Sequence, residues 1–205
     1  MKTLMKAISA VFHPLLMESY VALILYKINP ALFSPIPRDA ILYFVFAVFI
    51  ATAFIPALSL AFLRSVKVIQ NLDLTIRKER ILPFVLISCL YTFSAYTFDK
   101  KLPLPDLILA PLVASPVLIV LLSLISLRFK ISVHTAASTG VLGTLTGIFY
   151  LIPVANSVLI LVGVALITGL TSTSRLYLGH HNLKEICYGA TIGFSIPFLS
   201  ILILG

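Results

Sequence analysis

The chain has 205 residues, 60% of them hydrophobic and 11% charged, with a formal net charge of +8 and a mean hydropathy of +1.12. A soluble domain of this length carries about a quarter charged residues, so the composition excludes one. The positive charge is spread over several loops, which argues against nucleic acid as a partner.

In chain order, the first apolar run is interrupted by His13-Pro14 and Glu18. No small-residue cleavage site follows it, so no cleavable signal peptide is expected. A crossing helix needs about 20 apolar residues, and seven segments approach that length. Pro14 to Phe33 is weakened by Glu18 and Lys27. Ala40 to Leu63 carries Pro56 as a candidate kink. Ile81 to Phe98 and Leu107 to Leu127 are separated by a polar turn. Ala136 to Ile152 and Val154 to Leu170 are joined through Pro153, and Ile186 to Leu204 closes the sequence. The loops leave no room for a soluble domain. The expectation is one integral-membrane domain over 1–205, an all-α transmembrane bundle of six to seven spans. Cys89 and Cys187 both fall in apolar runs and read as small core residues rather than a disulfide or a metal pair. Gly140, Gly143 and Gly147 share roughly one helical face, as do Gly189 and Gly193, a spacing that lets helices approach closely in lipid.

Three polar clusters stand out: Asp73 to Arg80, Lys130 to Thr135, and Ser174 to Glu185. Two expected spans separate each from the next, so all three fall on one side of the bundle. The last is the richest. His181 and Glu185 are four residues apart, which on a helix puts both on one face, where the acid orients the imidazole. Arg175 supplies a forked donor suited to phosphate oxygens. Ionisable groups at the edge of a membrane are costly and mark functional sites. Asp73 and Glu79 read as balancing the neighbouring cations, Arg77, Lys78 and Arg80 as phosphate ligands or as a positive flank anchoring the span, and His13 as a packing or interfacial residue. His180 is expected to point away from its neighbour His181.

The second and third clusters resemble motifs of the type 2 phosphatidate phosphatase superfamily, which includes the vanadium haloperoxidases. Where the family has Pro-Ser-Gly-His, this chain has Ile131-Ser132-Val133-His134. Where the family has Ser-Arg, five residues, His, three residues, Asp, this chain has Ser174-Arg175, five residues, His181, three residues, Glu185. The family's first motif, Lys, six residues, Arg-Pro, is met only loosely by Arg77-Lys78-Glu79-Arg80, with Pro83 beyond. The resemblance covers roughly residues 70 to 195.

The resemblance implies a metal-independent phosphatase that acts on a lipid phosphate or polyprenyl diphosphate and needs no cofactor. His181 would be the nucleophile that forms a phosphohistidine, Glu185 the residue that fixes its tautomer, and His134 the general acid and base. Arg175, Arg80, Lys78 and Arg77 would neutralise the phosphoryl oxygens, with Ser132 adding a hydrogen bond. Its partners would be membrane lipids and its place the bacterial inner membrane. The distribution of Lys and Arg favours a cytoplasmic site, whereas the family works mostly on the extracytoplasmic face. The alternative is a catalytically impaired lipid-phosphate-binding protein, since Val133, Glu185 and the loose first motif all depart from the family pattern.

Overall fold

Apolar runs in lipid have no water to satisfy their backbone, so they close their own hydrogen bonds as helices. A computed structural model describes every residue except Asp73 and Thr75; the reading of Asp73 as a charge balance lies outside the described residues. Among those residues the chain forms nine α-helices: α1 Lys2–Val11, α2 Met17–Ile28, α3 Ile41–Phe49, α4 Ile55–Ser65, α5 Ile81–Lys101, α6 Asp106–Ser126, α7 Val133–Leu151, α8 Ser157–Tyr177 and α9 Leu183–Leu204. Six helical stretches are long and apolar enough to cross a membrane: Lys2–Ile28, Ile41–Ser65, Arg77–Lys101, Asp106–Ser126, Ser157–Tyr177 and Leu183–Leu204. The expected all-α membrane bundle is what forms.

The opening segment differs from the single span 14–33. Pro14 lacks an N–H, and His13 before it is extended at φ −70°, ψ 140°, as a residue preceding proline prefers. The chain therefore breaks between α1 and α2, and His13 Nδ1 accepts the Leu15 N–H at 3.4 Å across the break. Pro30 ends α2 early. The stretch 41–65 is continuous but loosens to a π-helical turn over Ile50–Phe54, just ahead of Pro56, whose missing N–H interrupts the regular ladder. The Val154 to Leu170 expectation shifts to Ser157–Tyr177. Asn156 turns the chain in left-handed conformation at φ 58°, and hydroxyls past Leu170 carry the helix on by bonding back to its own carbonyls, Thr171 to Ile167 O at 2.9 Å and Ser174 to Thr171 O at 2.7 Å.

The centre of the bundle is the seam between α7 and α9. A Cβ at Gly189 would sit 2.7 Å from Ser132 O, one at Gly193 would run into Ala136 O, one at Gly143 into Phe194 O, and one at Gly147 would lie 2.8 Å from the Ile201 side chain. These contacts climb both sequences in the same direction, so the two helices run parallel with their backbones nearly touching. The expected close packing by glycine is present on both partners. Because α7 is wrapped by its neighbours, twelve of its 19 residues are buried, and it tolerates Thr, Ser and His where a lipid-facing helix would not. α8 is peripheral, with five buried residues, among them Ser174 and Arg175 at its end.

Gly193→Ala is expected to lower the melting temperature in detergent by the equivalent of about 1–3 kcal/mol, the usual cost of overpacking. Gly163→Ala, where a Cβ meets nothing within 4 Å, should not lower it. Equal melting of the two variants would show that the seam is not tight.

Candidate functional site

Three helices begin at one end of the bundle: α5 after its N-cap Arg80, α7 after Ser132, and α9 after Asn182. α8 ends there with Arg175. The parity expected for the three clusters holds: His134, Arg80, Arg175 and His181 all line one cavity. The cavity is partly open to the outside. Helix N-termini carry positive partial charge and unpaired N–H groups, so three of them at one mouth favour an anion.

His181 owes its position to a helix end. α8 closes with Gly179 at φ +69°, while His180 N–H reaches Arg175 O at 3.1 Å and Gly179 N–H reaches Leu176 O at 2.9 Å. This is the paired Schellman arrangement, which reverses the chain within two residues. Asn182 then caps α9, its Oδ1 accepting the Glu185 N–H at 3.0 Å and its Nδ2 donating to Glu185 Oε1 at 3.1 Å. The other carboxylate oxygen, Oε2, lies 2.6 Å from His181 Nδ1. His181 and Glu185 do pair, but not on one helical face as the spacing suggests, because His181 precedes the helix. Glu185 is the third helical residue, held as in a capping box, and reaches back across the cap. With Nδ1–H donated to Glu185, the lone pair of the neutral ring is on Nε2. Burial first, and then the charges of Arg80, Lys130, Arg175 and His180, push the imidazole down to about 3. The Glu185 carboxylate opposes this, but its charge is shared with Arg80 close by.

The two arginines are buried at 3% and 2% exposure. Arg80 spends Nε on Leu74 O at 2.7 Å and Nη1 on Ile131 O at 2.9 Å, which fixes the plane of its guanidinium at the cavity wall. Arg175 donates from Nη1 to Ser9 Oγ at 3.3 Å, and that hydroxyl also meets Ser174 Oγ at 2.9 Å. α1 thus clamps the end of α8. His134, second residue of α7, is 6% exposed, and its buried Nε2 has no hydrogen-bond partner among the described residues. It lies within electrostatic reach of His181, His13 and Arg175.

The other expected ligands stand apart from the cavity. Ser132 is fully buried as the N-cap of α7, its Oγ 3.0 Å from Thr135 Oγ1 and accepting the Thr135 N–H at 3.4 Å. Arg77 is exposed and donates to Arg128 O at 2.6 Å, and Lys78 is exposed. Glu79 accepts the Gln70 N–H at 2.9 Å. Conversely, His13 does not merely pack at the interface. It lines the cavity, edge-on to His134 with ring centroids 5.3 Å apart. Its Nδ1 accepts the Leu15 N–H, so the neutral ring carries its proton on Nε2. The His-Pro break in the first apolar run was the sequence signal for it.

Two of the three departures from the family pattern have a local resolution. Val133 is the first residue of α7 and is not among the residues with positive φ, so a β-branched side chain meets no backbone penalty there. Glu185 uses its extra methylene to span the cap. Lys130 brings a cation within electrostatic reach of His181. Compared with protein-family models, with curated proteins and with solved structures, the chain matches none.

Because the folded value of His181 lies below the unfolded value near 6.5, its neutral form contributes stability that is complete above about pH 6.5 and is lost as pH falls toward 3. Nitrogen-15 histidine spectra at pH 5 should show the His181 ring neutral with its proton on Nδ1. A charged ring at that pH would contradict the assignment.

Proposed function

We propose that this chain is a membrane phosphatase acting on a lipid phosphate through a phosphohistidine. The observation that carries the reading is the His181–Glu185 pair at 2.6 Å, whose free Nε2 belongs to the same cavity as His134, Arg80 and Arg175. The His181 Nε2 lone pair attacks phosphorus, and the bond from phosphorus to the lipid oxygen breaks. His134, protonated on Nε2, gives that proton to the leaving oxygen. A water then attacks phosphorus, passing a proton to His134; the phosphorus–nitrogen bond breaks, its electron pair returns to His181 Nε2, and inorganic phosphate leaves. Arg80 and Arg175 hold the non-bridging oxygens, preset by their bonds to backbone and to Ser9, so little reorganisation is needed as charge builds. Glu185 stabilises the imidazolium character that His181 gains on phosphorylation.

The amphiphilic cavity supports a lipid substrate. Cations and histidines occupy one end, and apolar side chains such as Phe84, Ile87, Leu118 and Leu122 line the wall beyond them.

Purified protein in detergent should release phosphate from a panel of lipid phosphates without added divalent metal. His181→Ala should abolish release, and His134→Ala should slow it by about 10²–10⁴. Binding of lipid phosphates without release by folded wild type would favour a non-catalytic lipid-phosphate-binding protein instead.

A further inference from the structure

The cavity does not end in hydrocarbon. Beyond the apolar wall its lining includes Glu18, Ser115, Tyr91 and Thr144. Each belongs to a different helix: α2, α6, α5 and α7. Arg80 to Tyr91 is eleven residues along α5 and His134 to Thr144 is ten along α7, which at about 1.5 Å per residue puts those two roughly 15 Å below the phosphate-binding end, while Glu18, five residues after His13, lies roughly 10 Å below it. Ser115 stands near the middle of the 21-residue α6. A carboxyl group at such depth is costly and is retained where it has a ligand or a pathway to serve.

The Glu18 carboxyl is held by its neighbour. Ser115 Oγ donates to Oε1, and no other described side chain bonds to it. A carboxyl group has room for several donors, so one hydroxyl leaves it capacity to accept another. Tyr91 is differently placed, because its hydroxyl donates to Thr52 O at 2.6 Å. That carbonyl belongs to the π-helical turn Ile50–Phe54, where the regular ladder is loosened. The tyrosine therefore shapes the floor, and the Glu18–Ser115 pair gives it a hydrogen-bonding point.

We propose that Glu18, held by Ser115, is a second recognition point for the substrate: it accepts a hydrogen bond from a hydroxyl or amide borne on the lipid chain about 10 Å from the phosphorus, the reach of the five residues from His13 to Glu18. The preferred substrate is then a lipid phosphate with a hydroxylated or amide-linked chain, in preference to a plain hydrocarbon or polyprenyl chain. The proposal rests on reading the upper cavity as a lipid-phosphate site. A donor reaching Glu18 makes a hydrogen bond that plain hydrocarbon leaves unmade.

The probes are hexadecyl phosphate and its 8-hydroxy and 15-hydroxy forms, presented to the full chain in detergent. Binding is measured on the His181→Ala protein, and hydrolysis on wild type. The 8-hydroxy probe should bind about tenfold tighter than the plain one, the equivalent of one net hydrogen bond. The 15-hydroxy probe should show no such gain. Glu18→Leu, introduced beside His181→Ala, should bring the ratio of the two chains to about one, and Glu18→Gln, which keeps an acceptor, should retain part of it. The melting temperature of each variant checks its folding. Equal binding of all three chains, or a preference that survives Glu18→Leu, overturns the proposal while leaving the phosphatase reading intact if the plain probe is hydrolysed. Failure of every probe both to bind and to be hydrolysed overturns the two together.

Discussion

The close approach of α7 and α9 is the constraint on which the rest depends. Parallel helices repel each other weakly through aligned dipoles, and in lipid there is no hydrophobic drive to hold them together. Glycine on both faces answers this by letting the backbones meet, so that dispersion contacts accumulate along the whole seam. The backbone N–H of Ser132 reaches Glu185 O at 3.2 Å, joining the two helix starts directly. His134 and His181, the second residue of α7 and the residue before the α9 cap, are neighbours for that reason. A looser seam would separate the two imidazoles without altering either motif.

The second organising feature is a concentration of cations. Arg80, Arg175, Lys130 and the histidines face the same region, with Glu185 as the carboxylate against His181. Buried cations are costly, and among the described contacts each guanidinium is directed onto carbonyl or hydroxyl oxygens. Together with three helix N-termini these side chains set a positive potential at the mouth of the cavity. The proposed phosphate ligand is the group that such a potential would recruit, and a neutral His181 fits the same surroundings.

Much of this was legible in the sequence. The helical bundle followed from hydropathy alone, and the even separation of three polar clusters predicted that they share one end. The glycine faces pointed correctly to the tight seam. The details that escaped are those set by interruptions. His181 and Glu185 looked like one helical face, because spacing does not reveal that Gly179 reverses the chain and Asn182 restarts it. Ser132 looked like a ligand, although a serine ahead of a helix is equally a cap, and only the fold decides between the two. Glu18 lay in the weakest expected span, where its polarity counted against the segment, and His13 lay just ahead of that span. Contacts between α2, α6 and α7 turn those same residues into cavity lining, and no local pattern encodes such contacts.

α7 also bears on how the protein is made. It is the one long central helix that falls outside the six apolar enough to cross a membrane, and it carries His134 and three glycines. Judged by hydropathy alone, a translocon would retain such a segment poorly in the bilayer. Strongly apolar α6 and α8 flank it in sequence, and α9, synthesised after both, supplies the glycine surface that it needs. Biogenesis is therefore cooperative. α7 settles in the membrane with its neighbours rather than ahead of them, and a ribosome-bound chain lacking α9 holds this helix only provisionally.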